Sequence, residues 1–225
     1  MSAEVRVGVL ASGRGSNFGA LAAAAAQGTL GARLVCLITD QPAAGALEVA
    51  SRYSIPAHTF DAGPRRGRLV PAAEDAILQY LQEHGVQLVC LAGFMRIVGP
   101  RLLEAYPQAI LNVHPSLLPA FPGLDSQRRA LEAGVKVAGC TVHFVDAGVD
   151  SGPIVLQAAV PVLDDDTPET LSARILTEEH RLFPVAVRLW AADRLDLHGR
   201  RVVCDPPAAQ ATHPDRASTA PGGTS

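Results

Sequence analysis

Three groups of residues in this chain are of types that do chemistry. The first is Asn112-Val113-His114-Pro115. The apolar run before it, residues 109–113, reads as a strand. Residues two apart on a strand point to one side, so Asn112 and His114 share a face. Pro115 keeps His114 in extended geometry. An amide donor beside an imidazole suits a carbonyl that gains negative charge. The amide holds the oxyanion, and the imidazole shuttles a proton or assists the hold. Alone, the pair also reads as a hydrogen-bonded structural pair at a strand end, because buried polar groups are normally satisfied rather than catalytic. The second group is the SGRGSN run at residues 12–17. Exposed amides and a following helix make such a loop an anion site, and its glycines let the anion approach the backbone. It lacks the spacing and lysine of a Walker A loop, and Phe18 occupies the third glycine position of G-x-G-x-x-G. An ordinary tight turn is the alternative. The third group is DAGVDSGP, residues 146–153. A carboxylate there could orient His114 and raise its pKa; a turn-forming aspartate is the alternative.

These groups need elements to hold them. Short, β-branched apolar runs at residues 5–11, 34–39, 55–60, 87–92 and 109–113 read as strands. Residues 18–27, 46–52, 73–84 and 124–132 read as helices between them, and 63–68 as a mobile basic loop. Two longer strands follow at 137–145 and 154–162. Thr167-Pro168-Glu169 is a helix start, with a run to about Arg181 and a break or kink at Pro184 before 185–192. Alternating strands and helices imply an α/β fold with a doubly wound, mostly parallel central sheet and helices on both faces. The two late strands, joined without room for a helix, make part of it antiparallel. Ligands then bind beyond the carboxyl ends of the strands. Residues 1–204 read as one catalytic domain. Residues 205–225 contain no Leu, Ile, Val, Met or aromatic side chain and read as a disordered tail.

Composition narrows the classes. Hydrophobic residues make up 48% of the 225, enough for one sizeable core. A net charge of -3 provides no field to hold a polyanion, which argues against nucleic acid as a partner. Lys136 is the only lysine, so mechanisms built on a lysine amine have one candidate. Cys36, Cys90, Cys140 and Cys204 are far apart and read as small hydrophobes in a reducing cytosol. No cluster has ligand spacing for a metal. No apolar stretch reaches the ~20 residues that span a bilayer, and MSAEVRVGVL lacks the order of a signal peptide. A cytoplasmic protein without membrane association is expected.

In combination the motifs are far more specific. SGRGSN, AGFMR at 92–96, NVHPSLLPAFPG at 112–123 and HFVDAGVDSGPIVLQ at 143–157 occur in that order. The chain closely resembles the phosphoribosylglycinamide formyltransferase family of purine synthesis over residues 5–203. The resemblance implies formyl transfer from 10-formyltetrahydrofolate to the amino group of glycinamide ribonucleotide. Asn112, His114 and Asp150 match the family's catalytic trio. Gly15, Ser16 and Asn17 match the phosphate loop, and Glu179 an acid that contacts the ribotide. Met95, Arg96, Ile97 and Val98 match the segment lining the folate pocket, joined by Asp146, Ala147, Gly148, Val149 and Asp150, with Asn112 also in reach. A folate-pocket arginine is Arg65, Arg66 or Arg68. The Leu118–Pro119 bond matches a cis position. Departures are Asp125, Ser126 and Gln127, where relatives often carry histidines near the phosphate, and Leu176, where they carry a polar or basic residue.

The partners implied are small molecules only, with the protein a monomer or homodimer. Two relatives share the trio or its motif. A formyltetrahydrofolate deformylase usually has a regulatory domain ahead of the catalytic fold, for which a first strand at Val5 leaves no room. A methionyl-tRNA formyltransferase adds a basic carboxyl-terminal domain, whereas the chain after Cys204 is short and not basic.

Overall fold

The computed structural model describes residues 4–61 and 67–204. Its first half alternates strand and helix: β1 (Val5–Leu10), α1 (Ser16–Ala26), β2 (Ala32–Thr39), α2 (Ala46–Arg52) and β3 (Ala57–Thr59). Then come β4 (Gly67–Arg68), α3 (Pro71–Glu83), β5 (Leu88–Leu91), β6 (Arg96–Ile97), α4 (Pro100–Ala105) and β7 (Ile110–His114). The rest is α5 (Ser126–Glu132), β8 (Val137–Phe144), β9 (Ile154–Pro161), α6 (Pro168–Ala191), β10 (Leu195–His198) and β11 (Arg201–Cys204). Nine strands form one sheet in the order β10-β11-β9-β8-β7-β5-β1-β2-β3, and β4 pairs with β6 separately. From β3 to β7 all neighbours are parallel. β8 then runs against β7, and β9 against β8. The mixed, mostly parallel sheet is the one the strand pattern implies.

The apolar runs become central strands because both of their faces are covered. β5 is LVCL and entirely buried. Leu88 and Cys90 join the core under α1, α2, α5 and α6, while Val89 and Leu91 join the core under α3 and α4. This alternation is the period-two geometry of a strand with two apolar faces. Each fully buried Leu or Phe in these layers, such as Leu21 or Phe183, contributes about 1.5–3 kcal/mol. Winding reverses at β1: β2 and β3 lie to one side, β5 and β7 to the other. The crevice beyond the carboxyl ends of β1 and β5 is therefore a switch point, where open α/β sheets take ligands.

Several expectations need correcting. Pro184 neither breaks nor ends its helix; α6 runs unbroken from Pro168 to Ala191. Proline removes one backbone bond, at a cost of about 3 kcal/mol. Buried Leu182, Phe183, Ala186, Val187 and Leu189 on both sides of it hold the helix against the sheet. The start of α6 is as expected, with Thr167 and Thr170 forming a reciprocal cap. The third strand is cut to Ala57–Thr59 at the exposed sheet edge. α1 starts two residues early, and α5 starts late because Asp125 is left-handed with φ 58°. In the basic loop, Gly67–Arg68 is a strand beside β6; residues 62–66 lie outside the described residues, as does the tail from 205. Short α4 and the β10–β11 hairpin carried too few residues of pattern to be read. Leu118–Pro119 is cis. Cys36, Cys90 and Cys140 are buried, and burial pushes the Cys36 and Cys140 thiols up to about 12; Cys204 is half-exposed.

Candidate active site

β7 ends in Asn112 and His114, and both reach one carboxylate. His114 Nδ1 lies 3.2 Å from Asp150 Oδ2, and Asn112 Nδ2 lies 3.5 Å from Asp150 Oδ1. The backbone N–H of Gly123 donates to Asp150 Oδ2 at 2.8 Å. Thus a strand end, a loop 36 positions on and the turn before α5 converge on one acid, which sits on left-handed backbone at φ 50°. Burial by itself would raise the Asp150 pKa. The neighbouring His143 ring, the Gly123 hydrogen bond and the His114 imidazole more than offset this, so its carboxyl lies below the usual range. Burial pushes the His114 imidazole down, with Asp150 and the Phe121 carbonyl opposing.

The partners of His114 define its proton capacity. Nε2 lies 3.0 Å from the Phe121 carbonyl oxygen and 3.2 Å from Ser126 Oγ. A neutral ring can satisfy only one of Asp150 and Phe121 as a donor. The imidazolium satisfies both. The cradle therefore accepts a second proton on His114 without rearrangement, while burial keeps the resting ring neutral.

Two residues here were not singled out from sequence. His143 on β8 sits opposite Asn112 in the β7–β8 ladder. Its Nδ1–H donates to the Phe144 carbonyl at 2.8 Å, and its Nε2 is 3.1 Å from Asn112 Nδ2 and 3.7 Å from Asp150 Oδ1. As the Nδ1–H tautomer it accepts from Asn112 and fixes which way that amide points. The signal was in the HFVD run, but only the strand register places it. Ser126 was read as a departure; its hydroxyl meets His114 and also donates to the Gly123 carbonyl at 3.1 Å.

The second cluster lies at the amino end of α1. Gly15 is left-handed at φ 78°, and a Cβ there would stand 2.6 Å from Ala46 Cα on α2. Only glycine fits that turn against that helix. No side chain caps α1, so its first amides remain available to an anion. Ser16 is half-buried. Asn17 Nδ2 donates to Glu179 Oε2 at 2.7 Å across α1 and α6, and Asn17 Oδ1 is buried without a partner. Burial pushes the Glu179 carboxyl up to about 7, against the pull of Asn17.

The third cluster is the Met95–Val98 stretch with the 146–150 loop. Leu91 pairs with Asn112, which brings the chain after β5 alongside the trio. Met95 is 59% exposed and Val149 52%, leaving apolar surface beside polar groups. The Arg96 guanidinium does not stand open: its Nε donates to Asp40 Oδ2 at 2.8 Å. Ile97 pairs with Arg68, whose guanidinium lies 3.5 Å from the Val98 carbonyl. Of the three candidate arginines, Arg68 is thus beside the segment; Arg65 and Arg66 lie outside the described residues. Asp146 accepts from the Gly148 amide at 3.0 Å and Ser151 Oγ at 2.6 Å, so its carboxylate ties its own loop together around Ala147. A hollow of about 600 Å³ lies on the α2 side of the 12–17 loop, against Ser12, Arg14, Gln41 and Arg52, and not against the trio.

Residues 5–187 match the family described as formyl transferase. The chain belongs to the formyl transferase family. Among relatives, the phosphoribosylglycinamide formyltransferase of Bacillus subtilis (strain 168) is 44% identical over 180 residues, covering 80% of this chain and 91% of that one. A solved glycinamide ribonucleotide transformylase 1 from Symbiobacterium toebii is 52% identical, with a TM-score of 0.86 over 91% of this chain and 95% of that one. The formyltetrahydrofolate deformylase of Pseudomonas syringae pv. tomato str. DC3000 shares the architecture at 25% identity, with a TM-score of 0.84 over 90% of this chain and 66% of that one. A formyl transferase family member takes a folate-derived formyl donor. Asp125 in this member pairs with Arg128 at 2.5 Å on its own helix, and Leu176 offers no charge. Among the described residues, no helix is long and apolar enough to cross a membrane, and no group of three His, Cys, Asp or Glu is placed to hold a metal.

Proposed function

We propose that this protein transfers the formyl group of 10-formyltetrahydrofolate to the amino group of glycinamide ribonucleotide. The observation that carries the reading is the meeting of Asn112 and His114 on Asp150 at the carboxyl end of β7. The neutral substrate amine is the nucleophile, so no enzyme nucleophile is needed. It attacks the formyl carbon, and the formyl oxygen becomes negative. Asn112 Nδ2 has one short contact, to His143, and one long one at 3.5 Å, to Asp150. The proton on the long contact can turn to the oxyanion. The amine, now positive, loses a proton toward the His114–Asp150 pair, directly or through water. The folate nitrogen takes a proton as it leaves, and the ring and acid return to their resting forms. Gly15, Ser16 and Asn17 hold the ribotide phosphate on the uncapped start of α1, and Glu179 takes the ribotide from the other side. Met95, Ile97, Val98, Val149 and Arg68 face the folate, with Arg96 contributing its backbone and not its charge.

The test is tetrahydrofolate release from 10-formyltetrahydrofolate by the purified protein. Release is expected only when glycinamide ribonucleotide is present. Release into water would make it a deformylase, and release only with initiator methionyl-tRNA would make it the translation enzyme.

Two further results are expected at the ribotide side. Gly15→Val forces a side chain into Ala46 and strains φ. Calorimetry should show ribotide affinity down by more than about tenfold, with tetrahydrofolate affinity kept within about threefold. Equal loss of both would place the damage in the fold. Glu179 supplies a pH signature. Its folded pKa of about 7 exceeds the unfolded value near 4.5, so the native state holds the extra proton between those values. Stability therefore falls as pH rises from 4.5 to 7, by about 1–3 kcal/mol. Glu179→Gln should flatten that slope in melting curves and give a higher Tm than wild type at pH 8. An unchanged slope would remove Glu179 as its source.

A further inference from the structure

Asp40 lies just past β2 and carries no assigned role. Its side chain is 1% exposed and that of Arg96 10%, with Arg96 Nε donating to Asp40 Oδ2 at 2.8 Å. Gln41 Nε2 donates to the same oxygen at 3.1 Å. Burial would raise the Asp40 pKa, but the polar groups around it, the nearby Ser12 hydroxyl with the bonded Arg96 and Gln41, outweigh it, so the acid is ionised. Ser12 opens the loop that holds Gly15, Ser16 and Asn17. Its hydroxyl accepts from the Met95 backbone N–H at 2.9 Å, and its own N–H donates to the Gly93 carbonyl at 3.1 Å. Asp40 thus holds the Arg96 guanidinium of the folate segment, while Ser12, at the start of the anion loop, holds the neighbouring Met95 amide.

A buried ion pair is a poor device for stability, because desolvation of both charges offsets most of their attraction. What such a pair does well is fix geometry. Here the fixed geometry joins the two candidate substrate segments. A ligand that orders the 12–17 loop holds Ser12, and Ser12 with Asp40 holds residues 95–96 where a folate would lie. The converse path uses the same contacts, as linkage requires.

We propose that Asp40, acting with Ser12, is a positioning residue that couples the ribotide loop to the folate segment, so that each substrate tightens the binding of the other. The inference rests on the proposed function for the identity of the two ligands. It concerns a residue that touches neither, and it is read from binding without turnover.

The experiment is calorimetric titration of tetrahydrofolate with and without saturating glycinamide ribonucleotide. In wild type the ribotide should tighten tetrahydrofolate by about fivefold or more. Asp40→Asn keeps the shape and removes the charge; it should weaken tetrahydrofolate alone about tenfold and reduce the coupling below about twofold, with kcat at saturation within about threefold. Ser12→Ala removes the bond to Met95 from the other end and should also abolish the coupling. Asp40→Glu should restore most of it, which a purely structural acid would not require. If Asp40→Asn fails to fold, Ser12→Ala decides. Retention of full coupling by Ser12→Ala, or by a folded Asp40→Asn, overturns the inference and leaves the proposed function standing. So does a wild type that transfers formyl groups with no coupling. A wild type that binds neither ligand overturns both.

Discussion

His114→Ala is expected to lower the transfer rate by about 10²–10³-fold while both ligands still bind within about threefold. The ring is the one group of the trio that rests neutral and can take up a proton. Asp150 receives its Nδ1–H and the Phe121 carbonyl waits for an Nε2–H, so the cradle is built for the charged form that burial disfavours at rest. Alanine leaves Asp150 with Gly123 and Asn112 and no imidazole to carry the proton. Single-turnover measurement at saturating ligands, with separate binding titrations, reads the chemical step. A rate within threefold of wild type would remove His114 from the reaction.

Asp150→Asn is expected to cost about 10³-fold in kcat. The change is nearly isosteric: with the amide oxygen accepting from Gly123 and His114, which share Oδ2, the new amide nitrogen falls where Oδ1 faced Asn112. That nitrogen then meets the Asn112 amide donor against donor, and the negative charge that steadies an imidazolium on His114 is gone. His143 also loses the charge beside its Nε2, 3.7 Å away. Most of the loss should therefore appear in kcat and little in KM for either substrate. The pH dependence of kcat is expected to lose the limb belonging to the coupled His114–Asp150 pair. A mutant that keeps that limb, or loses affinity with kcat unchanged, would place Asp150 in binding alone.

Much of this architecture could be read from residues alone, for identifiable reasons. Residues 46–52 and the apolar runs of the central strands are fixed by local periodicity, which is why α2 and β5 fall where the pattern puts them. Asn112 and His114 were legible because their spacing on a strand is itself geometry. His143 was not: its importance comes from lying opposite Asn112, and a ladder register is a long-range fact. Ser126 escaped for the same reason, since a hydroxyl at a helix start says nothing about an imidazole 12 positions earlier. Arg96 was read as a folate contact because the family frame supplies backbone and side chain together. Only the partner 56 positions away shows that the charge is already engaged. Pro184 misled because a local rule was applied where tertiary packing on both sides overrides it.

The hydrogen bond between Asn17 and Glu179 spans 162 positions of chain. Nearly the whole protein must be synthesised and α6 laid onto the sheet before that pair exists. On a ribosome, the last member of the proposed catalytic trio, residue 150, leaves the exit tunnel before Glu179 does. The tie between the start of α1 and α6 is thus among the last contacts the nascent chain can form, and it waits for the long helix to dock.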